Sequence, residues 1–577
     1  MITKLFSKRY VTYALYAAPV VTALVLLTVT LIDRSKMGTF FINGAFYADV
    51  AMVLSWLALQ FLANRDLSRS TLFHGIQKNW RGLVVTAVVS CVIIVSVAPS
   101  FRVLADETNL LGVSKSLFYN RTAVLNITGK WYYEAFWPLS DVIERRPTLY
   151  PFFVSIVHCV RGFDPTNGFV VNALVVPFFV FNTYRFAKSI DGEAFGLAAG
   201  FLVLAHPIAI VSARSTGFDV IAAFFLLLVV KRFYDHCRTP SADTLALLWI
   251  YLCFTTHLRY EGMLTHALTA VALLALGLIR WDYVRPRLWL YVLSPLFLLP
   301  RFWQAVVKAT DQEQPLSATL FSVPYLRDNS RDYLSLIRNP FEFSKPHNPL
   351  LLLLGIVGLV LIGHSVYRLY VRRENSKPLI RFALFAAAWF IMFWVISFSY
   401  VWGKSLHPAA ERLFVVIDAA FSISAAYLIT YSLRSLPRWV PSIIAASFVF
   451  FAVPVASEAR SINELTLTRQ TSQCWEYLAR LNTKRIMVVV DRPAMYTVMG
   501  YGAVDITTAK QNKSLLTELS RHLFQDIYVI QEVLYTTRKP TTETEIWPDV
   551  EKEPVFEFQN NYDRTVRISR VKYKTTY

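Results

Sequence analysis

Two adjacent carboxylates, Asp106 and Glu107, follow an apolar run, 82–99, that is long enough to cross a bilayer. Anchoring does not call for acids where a chain leaves lipid. The pair is therefore a candidate for proton abstraction or cation binding, against the plainer reading of a solvated loop. Further polar groups share that character. Arg145 and Arg146 precede Pro147, Thr148, Leu149, Tyr150 and Pro151. A guanidinium fork matches two phosphate oxygens, although arginines at a membrane surface also serve as headgroup contacts. His206-Pro207 is followed by Arg214, Ser215 and Asp219, the last placed where it could simply cap an apolar helix. The segment Thr256-His257-Leu258-Arg259-Tyr260-Glu261-Gly262 sets a cation and an acid between two hydrophobic runs, where they could equally pair with each other. Lys404, His407, Glu411 and Arg412 precede another run, where an arginine commonly anchors by snorkelling. Gathered on one membrane face, such groups would hold an anionic lipid with the cations while an acid deprotonates an acceptor.

The elements that must carry these groups are membrane spans. Of the 577 residues 55% are hydrophobic and only 17% charged, distributed in many separate apolar runs, which excludes a soluble globular protein. A net charge of +19 would point to nucleic acid in a soluble chain. Here Lys and Arg gather in short loops between runs, the pattern of cytoplasmic loops, and no nucleic-acid partner is expected. Cys91, Cys159, Cys237, Cys253 and Cys474 form no CxxC or metal-type spacing and read as packing residues.

With the basic loops inside, spans fall at 10–32, 45–63, 82–99, 168–187, 194–213, 218–233, 244–256, 263–279, 288–303, 349–370, 382–400, 413–431 and 441–456, about thirteen in all. The apolar piece 149–160 is too short for a helix that needs about 20 residues to span, and is expected as a juxtamembrane or re-entrant helix. Lys4, Lys8 and Arg9 flank the first run as in a signal peptide, but no convincing cleavage site follows, so it is expected to remain as a span. Loop 101–148 is then external, a mixture of helix and coil, with Trp131, Tyr132, Tyr133, Phe136 and Trp137 at the headgroup level.

From 458 the composition becomes that of a soluble domain, roughly 115 residues, enough for its own core. Strands are expected at 485–491, 526–533, 555–559 and 565–571, a helix at 514–523, and a loop at 536–545. The expected fold is a polytopic α-helical membrane protein with juxtamembrane helices and a C-terminal soluble α/β domain. Its expected parts are two N-terminal spans (1–81), a transmembrane core with the external loop 101–148 (82–457) and an external domain (458–577).

These residues resemble the GT-C glycosyltransferases, multi-spanning enzymes that use polyprenyl-phosphate sugars and include lipid A aminoarabinose transferases and protein O-mannosyltransferases. The resemblance rests on Asp106-Glu107 in the first long external loop, Arg146-Pro147-Thr148-Leu149-Tyr150-Pro151 after it, and Asp219 opening a later span. Leu258 to Gly262, Glu411-Arg412 and the external C-terminal domain add to it. It implies an inverting transfer with Asp106 and Glu107 as the catalytic acids and Asp106 as the base. Arg146, helped by Arg259 and Arg412, would hold the donor phosphate, and Tyr150, Asp219, Glu261 and His407 would bind substrate. It also implies a polyprenyl-phosphate-linked sugar donor, a glycan, lipid or protein acceptor, and a place in the inner membrane with a cytoplasmic N-terminus and a periplasmic C-terminal domain. No cofactor is required, though Glu107 and Asp219 leave room for a divalent metal. The acid pair follows the third span here, whereas in the family it usually follows the first, so 1–81 reads as an N-terminal two-span addition to a catalytic core at 82–457, and Thr148 stands where many members carry proline or a small apolar residue. A transporter or flippase of lipid-linked sugar is the alternative; it would place its charges near the bilayer midplane and often show inverted repeats.

Overall fold

The computed structural model describes residues 31–65, 69–132, 135–308, 320–372, 377–407, 410–462, 467–517, 523–541, 544–559 and 564–572. The chain divides into two compact units, one of Met1–Ser100, Arg145–Tyr150 and Phe169–Ala459, the other of Phe101–Glu144, Pro151–Gly168 and Arg460–Tyr577.

The first unit is helical. Among the described residues 8 helices are long and apolar enough to cross a membrane: Arg34–Ala63, His74–Ser96, Asn167–Leu202, Trp281–Lys308, Pro349–Val371, Lys377–Ser399, Glu411–Ser432 and Trp439–Glu458. They take up the expected spans 45–63, 82–99, 168–187, 288–303, 349–370, 382–400, 413–431 and 441–456. The expected span 10–32 lies essentially outside the described residues. The run 218–233 lies in the 20-residue helix Asp219–Arg238, whose last turns hold Lys231 and Arg232 in ion pairs with Asp235. The runs 244–256 and 263–279 form helices of only 15 residues each, Ala242–Thr256 and Glu261–Ala275. The count of thirteen is thus not reached among the described residues.

The run 194–213 is not one helix either. Asn167–Leu202 turns at Asp191 and Gly192, the latter at φ 84°, a left-handed conformation that glycine takes without strain. The helix then ends at Leu202, and His206 is extended (φ −86°, ψ 130°) before Pro207 starts the short helix Pro207–Ala213. A residue before proline is pushed out of the helical region, and proline itself is well placed in a first turn. The dipeptide His206-Pro207 thus breaks an apolar run that hydropathy reads as continuous.

Close helix packing follows from glycine. A Cβ at Gly355 would meet the Phe421 carbonyl oxygen at 2.7 Å, and one at Gly358 would collide with the Ser424 carbonyl. These two positions let Pro349–Val371 lie directly on Val415–Ser432, the small-residue contact that membrane helices use in place of a hydrophobic drive.

The second unit holds one 7-stranded sheet: β1 (Leu125–Tyr132), β2 (Ala135–Val142), β3 (Ile486–Val489), β4 (Gly502–Val504), β5 (Asp526–Leu534), β6 (Lys552–Gln559) and β7 (Arg564–Val571), in the order β2-β1-β4-β3-β5-β7-β6. β3 runs parallel to β4 and β5, and the remaining pairs are antiparallel. The central strand β3 is buried on both faces, as parallel strands generally are. Its alternation divides two cores: Ile486 and Val488 pack with Cys474, Trp475 and Leu478 of helix Leu467–Arg480, while Met487 and Val489 pack with Ile506, Phe524 and Trp547. Burying each such Ile, Leu or Val contributes about 1.5–3 kcal/mol relative to exposure. β6 forms an edge, and its Glu553, Pro554 and Glu557 are of the kind that discourages further strand pairing.

The four expected C-terminal strands appear as β3, β5, β6 and β7. The expected helix 514–523 is Lys513–Thr517 as far as the described residues go. Loop 101–148 differs from expectation. It contains helix Leu104–Tyr119, but then a β-hairpin, β1–β2, that joins the C-terminal strands through the pairing of Gly129 with Ala503. Trp137 projects from that hairpin, 59% exposed. Gly129 and Pro138 interrupt both strands and mask the alternation that would have announced them. Residues 101–144 therefore belong to one unit with the C-terminal segment, a grouping that a linear division at 457/458 does not capture.

Candidate active site

The helical unit brings together four of the expected site residues from three segments. Asp219 opens helix Asp219–Arg238, Arg259 and Glu261 lie in the turn between Ala242–Thr256 and Glu261–Ala275, and Arg412 lies in the 3-10 turn Glu411–Phe414. Asp219 is 2% exposed. Arg259 Nη1 lies 3.8 Å from its Oδ1, and Arg412 Nη1 lies 3.7 Å from its Oδ2. Both separations are ion-pair distances longer than the 2.7–2.9 Å or so of a charge-assisted hydrogen bond. Among the described residues neither Asp219 Oδ1 nor Arg259 Nη1, both buried, has a hydrogen-bond partner.

Arg259 is fixed from its other side. Its Nε donates to Glu261 Oε2 at 3.1 Å and its Nη2 to Oε1 at 2.8 Å, a two-point grip. Burial alone would lower the Arg259 pKa, but Glu261 and Asp219 outweigh it and raise it. Burial likewise pushes the Glu261 carboxyl up, and Arg259 holds it below its ordinary range. The turn itself depends on Gly262, where a Cβ would run into the Thr255 carbonyl. The arrangement sets two guanidiniums on either side of Asp219, that of Arg259 held on its far side by Glu261.

The other expected residues are placed as follows. Arg146 is half-buried, its carbonyl accepts from Gln304 Nε2 at 2.9 Å, and Pro147 and Thr148 after it are buried. Tyr150 is 1% exposed, within packed protein. His407 is exposed, its ring edge-on to Trp402 with centroids 5.8 Å apart, and its carbonyl accepts from the Ala410 and Glu411 amides to start the 3-10 turn. Arg214 donates to the Val97 carbonyl at 2.7 Å, which accounts for it structurally.

Asp106 and Glu107 belong to the second unit, in the first turn of helix Leu104–Tyr119. Glu107 is 1% exposed and accepts from the Arg102 and Val103 amides at 3.2 Å, so it satisfies backbone donors at its own helix start. Asp106, the neighbour, is half-buried.

Two buried acids inside spans were not singled out from the sequence. Asp49 lies in Arg34–Ala63, where Thr148 Oγ1 donates to its Oδ2 at 2.9 Å and His257 Nδ1 stands 3.3 Å from its Oδ1. Asp418 lies in Val415–Ser432, and its carboxylate takes the Tyr333 hydroxyl at 2.5 Å and His347 Nδ1 at 2.8 Å. The signal was present, since an ionisable residue in an apolar run is by default a functional candidate.

His206, His347 and Asp418 place ligand atoms within 4.8 Å of one another, close enough to hold a metal ion. Their hydrogen bonds fit a metal poorly. His206 Nδ1 accepts the Asn348 amide, which leaves the proton on Nε2, and His347 faces acceptors on both nitrogens, Asp418 and the Ser405 carbonyl. Neither ring has a lone pair to spare in this arrangement. Burial alone would lower the His347 pKa, but Asp418 outweighs it and raises it.

No protein-family model matches the chain, and no curated protein does. Solved structures do. ArnT from Cupriavidus metallidurans bound to undecaprenyl phosphate is 13% identical, with 84% of this chain and 97% of that one covered and a TM-score of 0.50. The apo state of the same protein gives 14% identity, the same coverage and a TM-score of 0.50. The oligosaccharyltransferase of Archaeoglobus fulgidus in the apo form is 11% identical over 79% of this chain and 70% of that one, at a TM-score of 0.46. At 13–14% identity the likeness is one of fold: over nearly the whole length of ArnT the chain has the fold of that protein.

Proposed function

We propose that the chain is an inverting glycosyltransferase, moving a sugar from a polyprenyl-phosphate donor to an acceptor hydroxyl on the periplasmic side of a bacterial inner membrane. The observation that carries this reading is the convergence of Arg259 and Arg412 on opposite oxygens of buried Asp219, at 3.8 and 3.7 Å. A phosphate supplies the acceptors that the buried Arg259 Nη1 lacks, and two guanidiniums stabilise the charge that gathers on it as it leaves. The fold likeness to ArnT, a structure of which holds undecaprenyl phosphate, supports the donor class.

In this mechanism Asp106 takes the proton of the acceptor hydroxyl. The oxygen attacks the anomeric carbon as the bond to the lipid phosphate breaks on the opposite face, inverting the centre. The leaving phosphate has low basicity and needs charge stabilisation rather than a proton, which Arg146, Arg259 and Arg412 provide. Glu107, through the Arg102 and Val103 amides, holds the helix start that carries Asp106. Tyr150, Asp219, Glu261 and His407 border the substrates in this reading. In this reading the N-terminus lies inside and residues 458–577 lie outside, on the donor's side of the membrane.

Purified protein in sealed proteoliposomes, given a polyprenyl-phosphate sugar and a mixture of envelope acceptors, should release polyprenyl phosphate in step with glycosylated product. Movement of the intact lipid-linked sugar across the bilayer without its consumption would instead establish a flippase.

A further inference from the structure

The helix Arg34–Ala63, read from sequence as part of an N-terminal addition, is bonded into the donor-holding segments. Asp49, 0% exposed midway along it, accepts the Thr148 hydroxyl at 2.9 Å through Oδ2 and faces His257 Nδ1 at 3.3 Å through Oδ1. His257 is oriented by its other nitrogen, which donates to the Phe297 carbonyl at 2.7 Å. The carbonyl of the same His257 accepts the Leu149 amide at 3.2 Å.

Two segments are tied at this point. Thr148 and Leu149 directly follow Arg146 and Pro147, and His257 is two residues ahead of Arg259. The helix Leu288–Lys308, which supplies the Phe297 carbonyl, also supplies Gln304, whose amide donates to the Arg146 carbonyl at 2.9 Å. The N-terminal helix is in turn bonded to that helix by Arg34, which donates to the Val306 and Val307 carbonyls at 3.2 and 2.6 Å. It is bonded to Ala242–Thr256 through Trp56 and Gln60, which donate to the Tyr251 hydroxyl at 3.3 and 3.1 Å.

We propose that Asp49 and His257 form a buried positioning pair that sets the Arg146–Thr148 turn against the Arg259 turn, and so the spacing of the guanidiniums that hold the donor phosphate. The inference rests on the glycosyltransferase reading and extends it to a residue of the N-terminal helix. A threonine in an apolar setting satisfies its hydroxyl on a nearby backbone carbonyl, as Thr86 does on Gly82 at 2.8 Å. Thr148 instead reaches 99 residues back to an ionisable group buried in a span, a placement that is costly unless it serves a geometry. This also gives Thr148, at a position where the resemblance anticipates proline or a small apolar residue, a defined partner.

The test uses the full chain in nanodiscs and measures binding of undecaprenyl phosphate and steady-state turnover of a polyprenyl-phosphate sugar. Thr148→Val keeps the shape and removes the hydroxyl, Thr148→Ser keeps the hydroxyl, and Asp49→Leu removes the acceptor. The valine and leucine variants should weaken undecaprenyl phosphate binding and raise the donor KM together by about tenfold, the effect of one lost charge-assisted hydrogen bond, with kcat changed by less than about threefold. Thr148→Ser should restore wild-type values. Thr148→Val with a lowered melting temperature but unchanged binding and KM would show a merely structural contact and overturn the proposal; because this substitution is conservative, the test survives if Asp49→Leu does not fold. Wild-type protein that neither binds nor consumes the lipid overturns the glycosyltransferase reading itself, and with it this extension, an outcome distinct from normal binding by every variant.

Discussion

Arg259 grips Glu261 with two nitrogens, Nε to Oε2 at 3.1 Å and Nη2 to Oε1 at 2.8 Å, and in doing so turns its remaining Nη1 toward Asp219. The two residues are separated in sequence by Tyr260 alone, so the grip is local, but its consequence is not: it aims a charge at a carboxylate 40 residues away.

Replacing the fork by a point charge should show this. Arg259→Lys keeps the charge and loses the two-point geometry, so donor turnover should fall by at least about tenfold. Glu261→Ala leaves a buried guanidinium short of its partner and should destabilise the helical unit by roughly 3–5 kcal/mol. Glu261→Gln, which keeps one acceptor, should lie between. Thermal midpoints beside turnover rates separate the two effects, and a fully active Arg259→Lys protein would remove Arg259 from the phosphate-holding set.

Asp106→Asn should lower turnover by about 10²–10⁴-fold, the usual contribution of a positioned base, with the melting temperature unchanged. Glu107→Ala should act differently, lowering stability by about 1–3 kcal/mol because it strips the buried Arg102 amide and the half-buried Val103 amide of this acceptor. Wild-type turnover by Asp106→Asn would sink the assignment of the base.

Gly262→Ala places a methyl group against the Thr255 carbonyl, which is backbone and cannot swing aside. The turn carrying Arg259 and Glu261 must then shift. A stability loss of about 1–3 kcal/mol with disproportionate loss of activity is expected, read from melting curves and turnover on the same preparation.

Two buried bases should give pH dependences of opposite sign. His347, its pKa raised from the ordinary 6.5 because Asp418 outweighs burial, stabilises the fold fully below pH 6.5, and that contribution is lost as pH rises through the raised value. His347→Gln should flatten the decline. Lys115, in the second unit, is pushed by burial and then by the charge of Lys484 from 10.5 down to about 7. Between those values the unfolded chain binds a proton that the folded one does not, so stability rises with pH; below about 7 the penalty is complete. Lys115→Met should remove that rise. Melting of the full chain in detergent between pH 6 and 9, wild type against each variant, checks both signs, and a variant that parallels wild type removes its residue from the account.

Much of this molecule was legible as sequence because hydropathy and charge act locally. An apolar run of about 20 residues has few alternatives to a spanning helix, and eight expected spans became such helices. The strands β3, β5, β6 and β7 were equally readable from their β-branched, alternating residues. Asp219, Arg259, Glu261 and Arg412 were marked by the oddity of charge beside lipid. Tertiary structure decided the rest, since the relevant contacts join residues far apart in the chain. It broke 194–213 at His206-Pro207 and paired Gly129 with Ala503 to bring the hairpin into a sheet with strands more than 300 residues later. It turned Glu107 onto its own helix start, buried Tyr150 and left His407 exposed. It also set Asp49 against Thr148 and His257, because a carboxylate with no water to solvate it must find its partners wherever the fold brings them.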